Sequence, residues 1–189
     1  MKKLFVLFAL LLTGAAHALP VQFVVDARAN SSSGGAGLDT GLFFTTGDTI
    51  DLTVDPDDLW NAGPLPRWSN ADGLIGDLFA TGSDESGQSS GTKIGRSFGS
   101  HTQNGLSAPF GSLVGSLGST FFLLGTSFDG PAPDTGTLLL HYWDSNNHDN
   151  TNSVTVTIGD SSPAVAVPAP GILLLLGLGL VAMGWTRRT

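Results

Sequence analysis

Short runs with a two-residue hydrophobic period recur along this chain and restrict it to a β-rich fold. The clearest is Thr49–Val54, whose three aliphatic residues share one face and whose polar residues share the other. Val21–Ala27 and Val154–Ile158 are further strand candidates, and Leu138–Trp143 is an apolar run of strand length. Turn-forming Gly, Pro, Asn and Asp separate these runs, and no amphipathic helical pattern connects them. The sequence therefore predicts an all-β fold, an antiparallel β-sandwich or jelly roll.

Two terminal segments are predicted to lie outside this domain. At the amino terminus Lys2 and Lys3 precede the apolar run Leu4–Leu12, and the small-residue pattern Ala16–Ala18 follows. This order is that of a secretory signal peptide, so we expect a signal helix over residues 1–18 with cleavage after Ala18. The domain then occupies residues 19–160 and a linker residues 161–170.

The carboxyl-terminal segment, residues 171–189, has the features of a short membrane helix with a basic tail. Ile172–Trp185 is an unbroken apolar stretch of 14 residues, fewer than the roughly 20 that span a bilayer comfortably. Arg187 and Arg188 follow it, which predicts a cytoplasmic tail and a domain outside the membrane. A buried core helix is the alternative, but the stretch has no polar face.

Charge restricts the partners of the domain. Between Leu19 and Pro168 the chain has all 16 acidic residues and four basic ones, a net charge of −12. A surface this acidic argues against nucleic acid as a partner. The chain has no cysteine, which excludes disulfides, thiolate chemistry and Cys-ligated zinc.

The polar segment Asp144–Asn150 is the candidate binding site. It contains two carboxylates and three amides within seven residues, all of them oxygen donors of the kind that Ca²⁺ takes. It lacks the spacing of an EF-hand loop. An ordinary Asx-rich turn is the other interpretation; composition alone does not separate the two, and without further information the turn is preferred.

Evidence for catalysis is weak. The chain has no nucleophile elbow, no H-E-x-x-H motif and no phosphate-binding loop, so we expect a non-enzymatic protein. Trp60 and Trp68 flank a Pro/Gly segment and are interpreted first as packing residues. The long Gly/Ser-rich stretch Thr81–Ser107 is either functional or disordered.

Between Gln22 and Gly159 the chain resembles the PA-IL-like galactophilic lectin domain, a calcium-dependent β-sandwich with a galactose-binding-like fold. Four blocks in matching order carry the resemblance: Thr46–Leu52, Trp60–Trp68 with Ala71–Gly73, Ser107–Gly118 and Leu138–Gly159. The family implies a lectin fold, bound Ca²⁺ and a sugar whose vicinal hydroxyls contact the ion. With this resemblance, calcium becomes the preferred interpretation of the Asp144–Asn150 loop.

By position, the resemblance implies a specific set of metal ligands. Asp144 matches the first Asp of the family loop, Asp149 and Asn150 match its amide pair, and Ala62 is the nearest match for a distant backbone carbonyl. The loop is about two residues shorter than the family pattern, so the middle backbone ligand stays open among Asn146, Asn147 and His148.

The resemblance also implies sugar-contacting residues. The family uses a His and a Gln from a segment that is replaced here by the Gly/Ser stretch, where His101 and Gln103 are candidates. Trp60, Trp68 or Trp143 is a candidate aromatic surface for a sugar ring.

The carboxyl terminus resembles the PEP-CTERM sorting signal. Pro168, Ala169 and Pro170 correspond to its Pro-x-Pro motif, with Ala169 where Glu is usual, and the apolar stretch and Arg187–Arg188 complete it. The resemblance implies export to a Gram-negative envelope and processing by the transpeptidase exosortase, with delivery to the cell surface or an exopolysaccharide matrix.

Three functional hypotheses follow from the sequence. The first is an envelope-anchored, calcium-dependent carbohydrate-binding protein that engages surface or matrix glycans, galactose-like sugars among them. The second is a structural surface or matrix protein in which calcium only stabilises the sandwich. The third is an envelope hydrolase using His101 or His141, which the absence of catalytic spacing argues against.

Overall fold

The computed structural model describes residues 19–159, in which all regular secondary structure is β-strand and every strand pair is antiparallel. The predicted signal helix and membrane helix lie outside these residues. In the described part of the chain, no helix has the length and apolar character needed to cross a membrane. The strands are β1 Val21–Asp26, β2 Leu38–Phe44, β3 Thr49–Val54, β4 Trp60–Asn61, β5 Trp68–Ser69, β6 Leu78–Phe79, β7 Lys93–Gly95, β8 Ser100–Gln103, β9 Leu106–Pro109, β10 Leu113–Leu117, β11 Thr120–Leu123, β12 Ser127–Pro131, β13 Gly136–Tyr142 and β14 Ser153–Ile158.

Two four-stranded sheets form the framework. The first has the order β1-β14-β3-β12 and the second has the order β11-β10-β13-β2. Three two-stranded ribbons, β4-β5, β6-β7 and β8-β9, lie outside these sheets. The all-β, antiparallel prediction is confirmed.

Both large sheets contribute side chains to one hydrophobic core. From the first sheet, β14 and β3 bury alternate residues, among them Val156 and Leu52, whereas their other residues stay partly or fully exposed. From the second sheet, β10 and β13 bury Leu113 and Leu140 in the same cluster. Each such side chain contributes roughly 1.5–3 kcal/mol on burial. Two sheets that share a core in this way have the packing of a β-sandwich.

The second sheet is covered on its outer face as well. There Val114 and Trp143 pack with Ala108 of β9, and Leu106 and Phe121 complete this smaller cluster. Burial on both faces explains why the sequence of β13 is almost continuously apolar instead of alternating.

The Gly/Ser-rich stretch contains structure that its composition does not suggest. The strands β7 and β8 lie within Thr81–Ser107, and Ile94 is fully buried between Leu59, Trp68 and Ala80. A tight turn at Asn104 and Gly105, both at positive φ (52° and 83°), connects β8 to β9. This hairpin is the element that carries His101 and Gln103.

Candidate functional site

The Asp144–Asn150 loop connects the two sheets, because it leaves β13 of one and enters β14 of the other. Its end is fixed against β4: Asn61 N donates to Thr151 O at 3.0 Å and Thr151 N donates to Asn61 O at 3.1 Å. The segment between Trp60 and Trp68 therefore lies beside the loop, although about 90 residues separate the two in sequence.

Asp144 is a buried carboxylate at the start of this loop. Its residue surface is 5% exposed, and its Oδ1 accepts hydrogen bonds from the backbone N–H groups of Ser145 (2.6 Å) and Asn146 (3.4 Å). Burial raises the pKa of Asp144 above its usual value, and the nearby charge of Asp149 raises it further. The ionised form is therefore poorly compensated by the protein alone.

Asn150 presents a second oxygen to the same region. It is 2% exposed, and its Nδ2 donates to Ala27 O at 3.1 Å. Its side chain is also close enough to Asp144 to lower the pKa of that carboxyl. The Oδ1 atom is buried and has no hydrogen-bond partner within the described residues. An unsatisfied buried acceptor costs about 1–3 kcal/mol of stability. An acceptor left without a partner at this position therefore suggests that a positively charged ligand binds to it.

Asp149 lies against the backbone of the β4–β5 turn. Gly63 has φ = +120°, and a Cβ built on it would overlap Asp149 Oδ2. The adjacent Ala62 is 5% exposed, and its carbonyl oxygen accepts a 3.4 Å hydrogen bond from Arg67 Nη1. The same Nη1 is 3.8 Å from Asp149 Oδ2. The structure thus brings the turn containing Ala62 next to Asp149.

The candidate donor atoms around this loop are all oxygens. In residues 19–159, no three His, Asp or Glu side chains group as a metal site. The set consists instead of two carboxylates, the free amide oxygen of Asn150 and the carbonyl of Ala62. Ca²⁺ takes mixed carboxylate, amide and carbonyl oxygens of this kind, whereas zinc sites use His and Cys. The residues present fit a calcium ion.

The three candidates for the middle ligand differ in their hydrogen bonds. Asn146 Nδ2 donates to Asp149 Oδ1 at 2.8 Å, and Asn146 Oδ1 accepts from the backbone N–H of His148 at 3.2 Å. Asn147 Nδ2 donates to Arg28 O at 3.4 Å. Asn146 is therefore the one of the three whose side chain bonds a predicted ligand, and the choice of the middle backbone ligand stays a prediction.

His101 and Gln103 are connected to the loop by a chain of hydrogen bonds. His101 Nε2 lies 3.1 Å from Gln103 Oε1, and Gln103 Nε2 donates to Ser32 O at 3.0 Å. Ser32 Oγ in turn donates to Asp144 O at 3.0 Å and lies 3.2 Å from Asp144 N. Both His101 and Gln103 are partly exposed. The β8–β9 hairpin thus places them at the edge of the Asp144 loop.

The tryptophans do not offer the aromatic surface that the sequence suggested. Trp60 and Trp143 are fully buried, and Trp68 is 9% exposed. The indole N–H of Trp60 donates to Gly111 O at 2.8 Å, and that of Trp143 donates to His101 O at 2.9 Å. These rings are core residues, and an indole without exposed area cannot stack on a sugar. Their interpretation as packing residues agrees with this burial.

His141 is buried on the outer face of the second sheet. Its Nε2 is 2.9 Å from Ser116 Oγ, and its Nδ1 has no hydrogen-bond partner in the described part of the chain. Burial lowers its pKa to about 4. A His–Ser pair that is 7% and 2% exposed is closed to a substrate.

Sequence reasoning missed Ser32 and Arg67 as neighbours of the site. Ser32 contacts the loop across 112 residues of sequence and lies in a Ser/Gly segment without periodicity. Arg67 is one of only four basic residues in the domain, and this scarcity is the sequence signal that points to it.

Comparison with known proteins gave two similarities. Residues 166–188 match the model of the PEP-CTERM protein-sorting motif, which confirms that prediction and indicates export and sorting to the cell envelope. No curated protein matches the chain. Among solved structures, the chain is similar to the N-terminal domain of EclA, described as a PllA-like lectin, with a TM-score of 0.48 and 19% identity over 74% of this chain and 96% of that chain.

Proposed function

We propose that this protein is a non-enzymatic, calcium-dependent carbohydrate-binding protein of the cell envelope. The observation that carries the proposal is the buried Asn150 Oδ1, an acceptor without a partner, beside the buried carboxylate of Asp144. Two buried oxygens with uncompensated negative character are stabilised when a cation lies between them. The lectin resemblance of the sequence blocks supports a sugar as the second ligand.

Asp144, Asp149, Asn150 and the Ala62 carbonyl would hold the ion. Bound Ca²⁺ supplies positive charge and open coordination positions, which two vicinal hydroxyls of a sugar can fill in place of water. The partly exposed carboxylate of Asp149 then accepts charge-assisted hydrogen bonds from these hydroxyls. Partial exposure of Asp149 leaves it accessible for this role.

The β8–β9 hairpin would supply the remaining polar contacts to the sugar. His101 and Gln103 reach the loop through Ser32, so their side chains are held in fixed positions relative to Asp144. A galactose-like sugar is the ligand that the family resemblance implies. In this proposal the ring hydroxyls that do not contact the ion hydrogen-bond to these two side chains.

The carboxyl-terminal segment would attach the domain to the envelope. Pro168, Ala169, Pro170 and the basic residues Arg187 and Arg188 lie within the matched sorting motif. We propose that exosortase processes this segment, and that its apolar stretch holds the protein in the membrane before processing.

A calorimetric Ca²⁺ titration of the purified protein tests the proposal, followed by a glycan screen with calcium and with chelator. Saturable calcium binding that Asp144→Ala abolishes, together with glycan binding that chelator abolishes, is expected. Glycan binding that persists in Asp144→Ala would contradict the proposal.

A structural role for the ion is the second candidate. It is favoured by the position of the loop between β13 and β14, because an ion held there would stabilise the connection between the two sheets. A calcium-dependent melting temperature without any calcium-dependent glycan binding would favour this candidate over the first.

A further inference from the structure

The few basic residues of this acidic domain are unevenly distributed. Residues 19–159 contain four of them, and two contact the Asp144–Asn150 loop: the backbone carbonyl of Arg28 accepts from Asn147, and the guanidinium of Arg67 lies 3.8 Å from Asp149. A third, Lys93, forms an ion pair with Asp77 at 2.6 Å. Half of the basic residues of an acidic domain thus contact one loop, which indicates a negatively charged ligand there.

Arg67 is positioned to contact a ligand bound at the loop. Its guanidinium carbon lies 4.6 Å from the ring centre of Phe98, and this cation–π contact orients the flat face of the group. Its contacts with Ala62 O and Asp149 are both made by Nη1 and are long, at 3.4 and 3.8 Å. The side chain is 35% exposed. The guanidinium is therefore held in place weakly enough to exchange these contacts for a ligand.

Arg28 adjoins the loop at Asn147. It lines an open depression of about 630 Å³ together with Asp26, Gly34, Gly35 and Asn147. This volume is within the range of small-molecule sites, roughly 300–1,000 Å³. The depression meets the loop at Asn147, whose amide reaches Arg28 O. A chain of sugar units bound at the loop would have room to continue into it.

The charge balance favours an anion at Arg67 more than at Arg28. A dication compensates Asp144 and Asp149, which leaves Arg67 as an excess positive charge at the ion site. At the depression, the negative charge of Asp26 offsets the positive charge of Arg28. The carboxylate of Asp26 also accepts hydrogen bonds from the backbone N–H groups of Arg28 (2.9 Å) and Ala29 (2.7 Å).

We propose that the saccharide bound here is acidic, and that the sugar unit on the loop bears a carboxylate that pairs with Arg67. The inference rests on the proposed function, since the hydroxyls of the same unit contact the ion site. A guanidinium donates two parallel N–H groups to a carboxylate, which gives both charge pairing and a fixed orientation. Arg28 assists the neighbouring unit of an acidic chain.

The test compares matched sugars on the calcium-loaded protein by calorimetry at low salt, with calcium in excess over the sugar. The pairs are the methyl glycosides of galactose and of galacturonic acid, and the methyl glycosides of glucose and of glucuronic acid, each acid with its carboxylate free. We expect one uronate to bind about threefold to tenfold more tightly than its neutral partner, the range for a partly exposed, charge-assisted pair. Arg67→Gln should abolish this preference, and Arg67→Lys should restore it in part. The control Lys93→Gln, which also removes one positive charge, should leave the preference unchanged.

The outcomes separate this inference from the proposed function. Calcium-dependent binding of neutral and acidic sugars with equal affinity would overturn the inference and leave the proposed function intact. A uronate preference that survives Arg67→Gln would overturn the assignment to Arg67. Absence of calcium binding would overturn both. A preference that weakens as salt rises, and that only the Arg67 variants reduce, would support the inference.

Discussion

The substitution Asp144→Asn tests whether this carboxylate binds a cation or only accepts hydrogen bonds from its own loop. Without calcium, we expect the variant to be at least as stable as the wild type at pH 7. The reason is that burial raises the pKa of Asp144, so the destabilisation by its ionised form is complete above the folded-state pKa, shrinks as pH falls below that value and disappears below the ordinary carboxyl pKa of the unfolded state. The Asn side chain keeps an oxygen for the Ser145 N–H and removes the charge.

With calcium the order should reverse. A ligand at 100 times its dissociation constant stabilises the folded state by about 2.7 kcal/mol. For a domain of this size, that corresponds to a rise of roughly 10 °C in melting temperature. The wild type should show this rise. The Asp144→Asn variant should lose most of it, because one of the two carboxylates that would hold the ion is gone.

The assay is chemical and thermal unfolding of both proteins, each with chelator and with saturating calcium. Asp57→Asn is the matched control, since Asp57 is exposed and its loss should change neither measurement. Destabilisation of Asp144→Asn by more than about 2 kcal/mol in chelator would refute the reasoning, because the carboxylate would then be a structural acceptor. A full calcium increment in the variant would exclude the loop as the metal site.

Two further predictions test neighbouring features. Gly63→Ala should lower the free energy of unfolding by at least about 1 kcal/mol and weaken calcium binding, because the residue has a positive φ and the new Cβ would overlap Asp149 Oδ2. The control Gly47→Ala, also at positive φ but with open space around it, should lose stability without a change in calcium affinity. Equal calcium affinities in the two variants would contradict this prediction. Burial lowers the folded-state pKa of His141 to about 4, so the folded protein holds this imidazole neutral. Its contribution to the free energy of unfolding should be complete above pH 6.5 and should fall, by up to about 1.4 kcal/mol per pH unit, as pH falls toward 4. The effect is measured by denaturant titrations at several pH values with chelator present. The Asp144→Asn background is used because Asp144 has the opposite pH dependence. If His141→Gln leaves the dependence of unfolding free energy on pH unchanged, the prediction is wrong.

The strands that the sequence predicted are those that bury one face or both. Thr49–Val54 is found with the predicted bounds, and Val21–Ala27 and Val154–Ile158 differ from the observed strands by one residue each. The strand β8 escaped prediction because its residues Ser100–Gln103 are polar on both faces. The local signal for its hairpin was the Asn104–Gly105 pair, which favours a tight turn between strands.

The candidate site was only partly accessible from sequence. The oxygen-rich composition of Asp144–Asn150 suggested a cation, but the neighbours of the loop depend on tertiary contacts. Arg67 reaches Asp149 through the β4–β5 turn, and Ser32 reaches Asp144 from a loop without hydrophobic pattern. No local propensity encodes such contacts, because they arise when the two sheets close over their shared core.

The position of β14 determines how a bound partner would pull on the protein. The candidate loop precedes its first residue, Ser153, whereas the sorting motif follows its last, Ile158. Six extended residues separate the two ends by roughly 20 Å. If the carboxyl-terminal segment attaches the domain to the envelope as proposed, tension between a partner at the loop and that attachment runs along this one strand. Because β1 and β3 flank it on both sides, the load falls on two rows of backbone hydrogen bonds in shear, which must break together before the strand can slide.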